Sequence, residues 1–513
     1  MKNSVKQSLR VLFAFMTLTV VVSCGDDDSP SVNNPTISIP ATSTVETGED
    51  VEISFDITTQ GGYASSSLTA TGGTAIISSA PASGAASGTI NVVFSAGDAG
   101  SGSVVLTVID NNGNSGIATA VVTITDVLTE FSISSNITAN TTWETGNSYI
   151  LEARIAVEAG ATLTIQPGVV IKGQVGSGAN ATALLIARGA KIMAEGTAAA
   201  PIIFTTVADN IEAGQIASPN LMATQSGLWG GLIVLGNALI SADAAAVQIE
   251  GIPPSDTNGL YGGTDATDNS GVIRYVSIRH GGANIGEGNE INGLTLGGVG
   301  SGTTIQYVEI IGNQDDGIEA FGGTVNASNI LVWNAGDDSF DMDQAYSGTI
   351  DNFIGILGAD SDHGLELDGP EGSTDGSFTL QNGSIKGNAD ATGGEYADLR
   401  ADVKCTLNNI YFFNFKESSD FELDNNGVAQ NYLDGAIVLT NLQFNVSHLT
   451  AGNLTIPEIV IEKTGDAETL LDVFTTVPLP QNVAVVTTST VGADKSKFTS
   501  WTWADVSGEL NDF

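Results

Sequence analysis

An all-β chain in two parts, a β-sandwich followed by a parallel β-helix, is what three features of the sequence predict. The first is a pattern that recurs between Ile291 and Val446: a small or acidic residue, an apolar one, a polar one, a second apolar one, then usually an acid. The second is a column of Asn about a dozen residues after each copy. The third is a run of short alternating segments with Gly and Ser turns ahead of the repeats, in a chain with 62 Gly, 6% aromatic and 14% charged residues. Such a composition suits a turn-rich all-β protein.

The repeat itself reads Gly293-Leu294-Thr295-Leu296-Gly297, then Gly317-Ile318-Glu319-Ala320-Phe321, then Ser339-Phe340-Asp341-Met342-Asp343. It continues as Gly364-Leu365-Glu366-Leu367-Asp368, Asp398-Leu399-Arg400-Ala401-Asp402 and Asp420-Phe421-Glu422-Leu423-Asp424. Its polar centres step by 24, 22, 25, 34 and 22 residues. A period in the low twenties with strand alternation means one such strand per coil of a solenoid, whose stacking buries a core no single coil could bury. Alternation sends the two apolar residues inward and the others outward. In the second column Tyr307, Asn329, Asn352, Asn382, Asn409 and Asn441 fall in register, which predicts a ladder of side-chain amides.

Taken from the amino terminus, Lys2, Lys6 and Arg10 precede an apolar run from Val11 to Val22, the layout of a secretion signal over residues 1–23. The run is short for a membrane-spanning helix. Val21-Val22-Ser23-Cys24 resembles the lipobox of bacterial lipoproteins, which implies a lipid on Cys24. Gly25-Asp26-Asp27-Asp28 resembles the acidic export signal of Bacteroidetes surface lipoproteins. Together they imply an outer-membrane, lipid-anchored protein facing the cell exterior, with residues 24–35 as its tether. With Cys24 acylated, Cys405 is the remaining thiol, so an intrachain disulfide and a cysteine metal site are excluded. The formal charge of −42 argues against nucleic acid as a partner and favours cations.

Residues 36–127 alternate through Val51–Ile57, Ile90–Phe94, Gly102–Val108 and Ala118–Ile124, which predicts about seven strands in a sandwich. The segment resembles the immunoglobulin-like modules that serve as stalks on bacterial surface proteins. The β-helix is expected over 128–513, with an insertion from Ile249 to Ser270 bulging out of it. The tail bearing Trp501 and Trp503 is expected to close the last coil, because an uncapped solenoid end recruits other chains. Trp229 to Asn237, Ala335 to Asp341 and Asp362 to Gly372 make residues 130–513 resemble a right-handed β-helix family, pectate-lyase-like in fold, of Bacteroidetes surface lipoproteins. That resemblance implies fold and compartment.

The outward positions carry the chemistry. One column holds Glu319, Asp341, Glu366, Arg400 and Glu422, and a second holds Asp343, Asp368, Asp402 and Asp424. Coils stack about 4.8 Å apart, so neighbouring carboxylates repel unless something offsets them. What offsets the repulsion is either a cation, Ca²⁺ being the expected cofactor at Asp343, Asp368 and Asp402 because it takes carboxylate and carbonyl oxygens, or Arg400 set between Glu366 and Glu422. The turns before the strands resemble the motifs of polygalacturonase-type inverting glycosidases: Gln314-Asp315-Asp316-Gly317, Gly336-Asp337-Asp338 and Asp362-His363-Gly364. The resemblance implies Asp316, Asp337 and Asp338 as acid and base carboxylates and His363 as their orienting partner. That family's Arg-x-Lys motif falls on Asp398-Leu399-Arg400 and is not preserved. The sequence therefore supports a surface-anchored binder of an extracellular polysaccharide or surface protein, with a glycoside hydrolase as the alternative.

Overall fold

The computed structural model describes residues 33–125, 129–286, 290–449, 454–462 and 473–513. The leader, Cys24 and the acidic export segment lie outside the described residues. Two compact units divide at Val127 and Leu128. In the first, two four-stranded sheets enclose Phe55, Ile90, Val92, Phe94, Leu106 and Val122, all fully or almost fully buried. The alternation along Ser115–Thr125, with every second residue buried, is that of a sheet with one dry and one wet face. This is a β-sandwich of the immunoglobulin-like kind.

The second unit is a right-handed parallel β-helix. Ten strands stack in one parallel sheet, from Arg154–Val157 through Leu294–Gly297, Ile318–Phe321, Phe340–Asp343, Leu365–Leu367, Ala397–Leu399 and Phe421–Leu423 to Val460–Glu462. A fifteen-stranded sheet forms the rest of the wall. Inward positions repeat coil after coil: Ile318, Phe340, Leu365, Ala397 and Phe421 make one buried row, and Ala320, Met342, Leu367, Leu399 and Leu423 the next. Burying each large side chain contributes about 1.5–3 kcal/mol, and the row continues with Phe340 edge-on to Phe353 at 5.0 Å.

The Asn column is present, with a cause the sequence pattern does not show. Tyr307, Asn329, Asn352, Asn382, Asn409 and Asn441 all have φ between 52° and 58°, the left-handed conformation. They sit where each long strand bends, and Asn is among the few residues with a side chain that tolerate that conformation. The amides then pair: Asn352 Nδ2 donates to Asn329 Oδ1 at 2.8 Å and Asn409 Nδ2 to Asn382 Oδ1 at 3.0 Å. Elsewhere the ladder steps sideways, Asn382 to Asp351 and Asn441 to Asn408. Tyr275 extends the column, its ring stacked on Tyr307 at 4.4 Å.

Three expectations are corrected. The register of the fifth copy is shifted by two residues: Asp398, not Arg400, pairs with Glu366 and Glu422. The insertion does not bulge away. Its Ile249, Ile252 and Tyr261 pack with Ile240 against Leu185, Ile233, Leu235 and Phe321 on the outer face of the ten-stranded sheet. The tail closes the last coil only with its first part, Ala484–Val485 pairing with the strand Val438–Asn445 and Val473 and Val483 packing into the core, and not with Trp501 and Trp503. It runs back along the flank, Val486 N–H donating to Phe444 O, Ala493 N–H to Ser384 Oγ, Asp494 N–H to Asn352 Oδ1 and Ala504 N–H to Glu309 Oε1. Trp501 and Trp503 are buried there, against the stacked tyrosines and Trp333. The core at the last coil is completed by Val428, Ala429 and Tyr432 of the helix Asn426–Leu433, with Val473 and Val483. Among the described residues no helix is long and apolar enough to cross a membrane.

Candidate functional site

Two side-chain columns run side by side along the outer face of the ten-stranded sheet. The turn column comprises Asn292, Asp316, Asp338, His363 and Glu395. Its first members staple coil to coil through one repeated hydrogen bond. Asp316 N–H donates to Asn292 Oδ1 at 3.2 Å, Asp338 N–H to Asp316 Oδ1 at 3.0 Å, and His363 N–H to Asp338 Oδ1 at 2.7 Å. His363 then pairs with Glu395 across a bridge. The acid of each Asp-Asp turn is therefore part of the turn's own bonding.

The strand column comprises Glu319, Asp341, Glu366, Asp398 and Glu422 in direct cross-strand register. It is withdrawn from water rather than presented as a solvated flank. Glu319 is 6% exposed, Asp341 8% and Asp398 4%. Asn292 Nδ2 donates to Glu319 Oε2. Asp341 Oδ1 is buried with no hydrogen-bond partner, and such a group costs about 1–3 kcal/mol or more when charged.

The columns converge into sets whose carboxylate oxygens lie within 4.8 Å of one another: Asp315, Asp316 and Asp337; Asp316, Glu319 and Asp341; Asp341, Glu366 and Asp368; Asp398, Glu422 and Asp424. Arg400 lies beside the third set, pairing with Glu366, with Asp368 at 2.8 Å and with Asp398 at 3.8 Å. His363 Nδ1 lies 2.9 Å from Asp338 Oδ1 and 3.4 Å from Glu366. Asp343 and Asp368 flank the strand column. Asp402 lies on an exposed turn with φ 59°, and among the described residues its carboxylate joins none of the sets within 4.8 Å, so it does not complete a group with Asp343 and Asp368. Asp337 is likewise exposed, although its carboxylate reaches Asp315 and Asp316.

Burial and mutual repulsion govern the protonation of the trough. Burial, reinforced by Glu319 and Asp338, holds Asp316 well above the usual carboxylate range, and burial plus like charges do the same to Glu319 and Asp341. Burial lifts Asp315 to about 7, with Asp337 adding to it, and lifts Asp343 and Asp368 to about 7. Asp338 rises to about 6, burial outweighing its bond to His363. Burial pulls His363 down, but the hydrogen bond and charge of Asp338 carry it up to about 9, so it is a cation at neutral pH.

One side of the trough is walled by the docked insertion. Tyr261 OH donates to Gln344 Oε1 and Gln344 Nε2 to Glu371 Oε2, each at 2.9 Å. The cleft there holds about 680 Å³ and is lined also by Gln248, Glu250 and Phe321.

Sequence reasoning missed Asp398, Glu395, Asp315 and Asn292. The alternation contained the signal for Asp398, two residues from the chosen register. Asn292 carried none, since its coil has Thr295 where the others have acids.

The stacked coils, with the trough along one sheet, define a parallel β-helix. Residues 135–504 match the pectate-lyase like β-helix domain, and the chain belongs to that family. No curated protein matches the chain. Among solved structures, a family 28 exopolygalacturonase from Yersinia enterocolitica overlaps 85% of this chain and 100% of its own, at 11% identity and a TM-score of 0.18. That likeness is too weak to bear on activity.

Proposed function

We propose that this is a polysaccharide-binding protein, lipid-anchored through Cys24 at the outer membrane and facing outward, whose acidic trough takes up divalent cations, calcium foremost. The observation that carries the reading is the four all-carboxylate sets within 4.8 Å, one of them containing the unpartnered Asp341 Oδ1. Hard oxygen donors at this density suit Ca²⁺. Asp316, Glu319 and Asp341 would hold one ion, and Asp341, Glu366 and Asp368 are the set that replaces the expected Asp343, Asp368 and Asp402. A bound cation would offset the repulsion and offer its open positions to hydroxyl or carboxylate oxygens of an extracellular polysaccharide. A surface protein contributing acidic loops would be served by the same chemistry. The test is a glycan array with the chain lacking its leader, in calcium and in chelator. Polysaccharide binding that chelator removes is expected; an array silent in both conditions contradicts it.

Hydrolysis is the second reading, favoured by the 2.9 Å contact of His363 with Asp338, whose carboxyl is lifted to about 6. Against it, Asp316 and Asp337 lie within 4.8 Å, closer than the roughly 6.5–9.5 Å an inverting glycosidase leaves for its water. Asp338 and Asp316 are also spent on stapling coils. Reducing-end release from neutral and acidic polysaccharides, lost in Asp338→Asn, would reverse this preference.

A further inference from the structure

A second cleft lies on the other side of the same coil corners, away from the trough. It holds about 400 Å³, within the size range of small-ligand sites. Trp333, Asn334, Asn388, Asn414 and Thr224 line it, and Lys386 and Glu509 stand at its tail side. Trp333 is held edge-on to the buried Trp503 at 6.0 Å, so that wall is rigid.

Its electrostatics are the reverse of the trough's. Lys386 is answered by Asp512 at 2.7 Å and Glu509 at 3.8 Å, which leaves the cleft with little charge to offer. What remains is hydrogen-bonding capacity. Asn388 Nδ2 donates to Gly358 O and Asn414 Nδ2 to Gly387 O, fixing both amides. Among the described residues no protein group pairs with the Asn334 amide, although Asn334 is only partly exposed. A Cβ at Gly358 would come within 2.8 Å of Asn334 Oδ1, so glycine there keeps that amide accessible. Fixed amides, a free amide and a hydroxyl without net charge, over a floor closed by the largely buried Trp333, fit the hydroxyl edge of an uncharged sugar.

We infer that this cleft binds a neutral hexose unit by amide and hydroxyl hydrogen bonds, independently of metal. The inference rests on the polysaccharide part of the proposed function and not on its calcium part. Because Asn334 and Asp337 belong to one turn, a glycan lying across the corner reaches both the cleft and the trough.

The experiment titrates cellopentaose and mannopentaose into the chain lacking its leader, following tryptophan fluorescence and saturation-transfer NMR, in calcium and in chelator. Asn334→Gly keeps the left-handed backbone (φ 58°) and Thr224→Val keeps the shape of an exposed side chain. We expect saturable binding of at least one pentasaccharide in chelator, weakened tenfold or more by Asn334→Gly and severalfold by Thr224→Val. Two variants guard against one failing to fold, which circular dichroism reports. Absence of binding by both sugars, or binding unchanged in both variants, overturns the inference. Binding that vanishes in chelator also overturns it and assigns the sugar to the trough, so the two readings fail separately.

Discussion

Two columns of side chains climb the same β-helix at the same coil spacing, and they solve opposite problems. The Asn column places amides above amides, each a donor and an acceptor, so stacking pairs them: Asn352 to Asn329, Asn409 to Asn382. The strand column places Glu319, Asp341, Glu366, Asp398 and Glu422 above one another, and ionised carboxylates only accept. Stacking satisfies the first column and frustrates the second. A solenoid multiplies whatever one coil carries, so a self-complementary residue becomes scaffold and a self-repelling one becomes a demand for something else. Asp338 shows the compromise: it staples His363 N–H like a scaffold residue and is still lifted to about 6.

Removing what both columns share has the largest expected effect. Phe340→Ala empties a fully buried position between them and should cost about 3–5 kcal/mol in denaturant unfolding. Breaking the satisfied column comes next. Asn352→Ala loses the amide pair and the bond from Asp494 N–H and places Ala in the left-handed region, for about 2–3 kcal/mol in total. Asn352→Gly should cost less, because glycine adopts that conformation freely. An equal loss from both variants would show that the backbone conformation is not what selects Asn.

The frustrated column should reveal itself through pH. A carboxyl whose pKa is higher in the folded than in the unfolded chain holds its proton more tightly when native. Its stabilisation is complete below the unfolded value near 4 and is lost as pH climbs through the folded value. For Asp315, Asp343 and Asp368 that value is about 7. His363, lifted to about 9, acts in the same sense, its contribution fading as pH rises through that value. In chelator the melting temperature should therefore fall steadily from pH 5 to pH 8. A rise over that interval would mean the carboxylates are not frustrated. Arg400→Met should have the smallest effect, deepening the fall at pH 8 by about 1 kcal/mol, the scale of a partly exposed ion pair.

The fold was legible because solenoid periodicity and strand alternation are local properties, written into Ile318-Glu319-Ala320 and its repeats. Register was less so. A strand repeats every two residues, so Ala397-Asp398-Leu399 and Leu399-Arg400-Ala401 fit the same pattern, and the shift put Arg400 and Asp402 in the wrong rows. The docked insertion and the returning tail depend on contacts such as Tyr261 with Phe321 and Ala504 with Glu309, which no spacing encodes. Acidity of the site could be read from the sequence. Its burial could not, because it comes from the docked insertion and from neighbouring coils.

Calorimetric titration of calcium at pH 7.5 into the wild-type chain and Asp341→Asn tests the central claim most directly. Saturable binding to the wild type is predicted, weakened at least tenfold in the variant. Asp341→Asn should also melt higher than wild type in chelator and gain less from calcium, because it removes a buried carboxyl crowded by Glu319 and Asp316 together with a ligand. A wild-type chain that binds no calcium, or a variant that binds it equally well, would contradict the account.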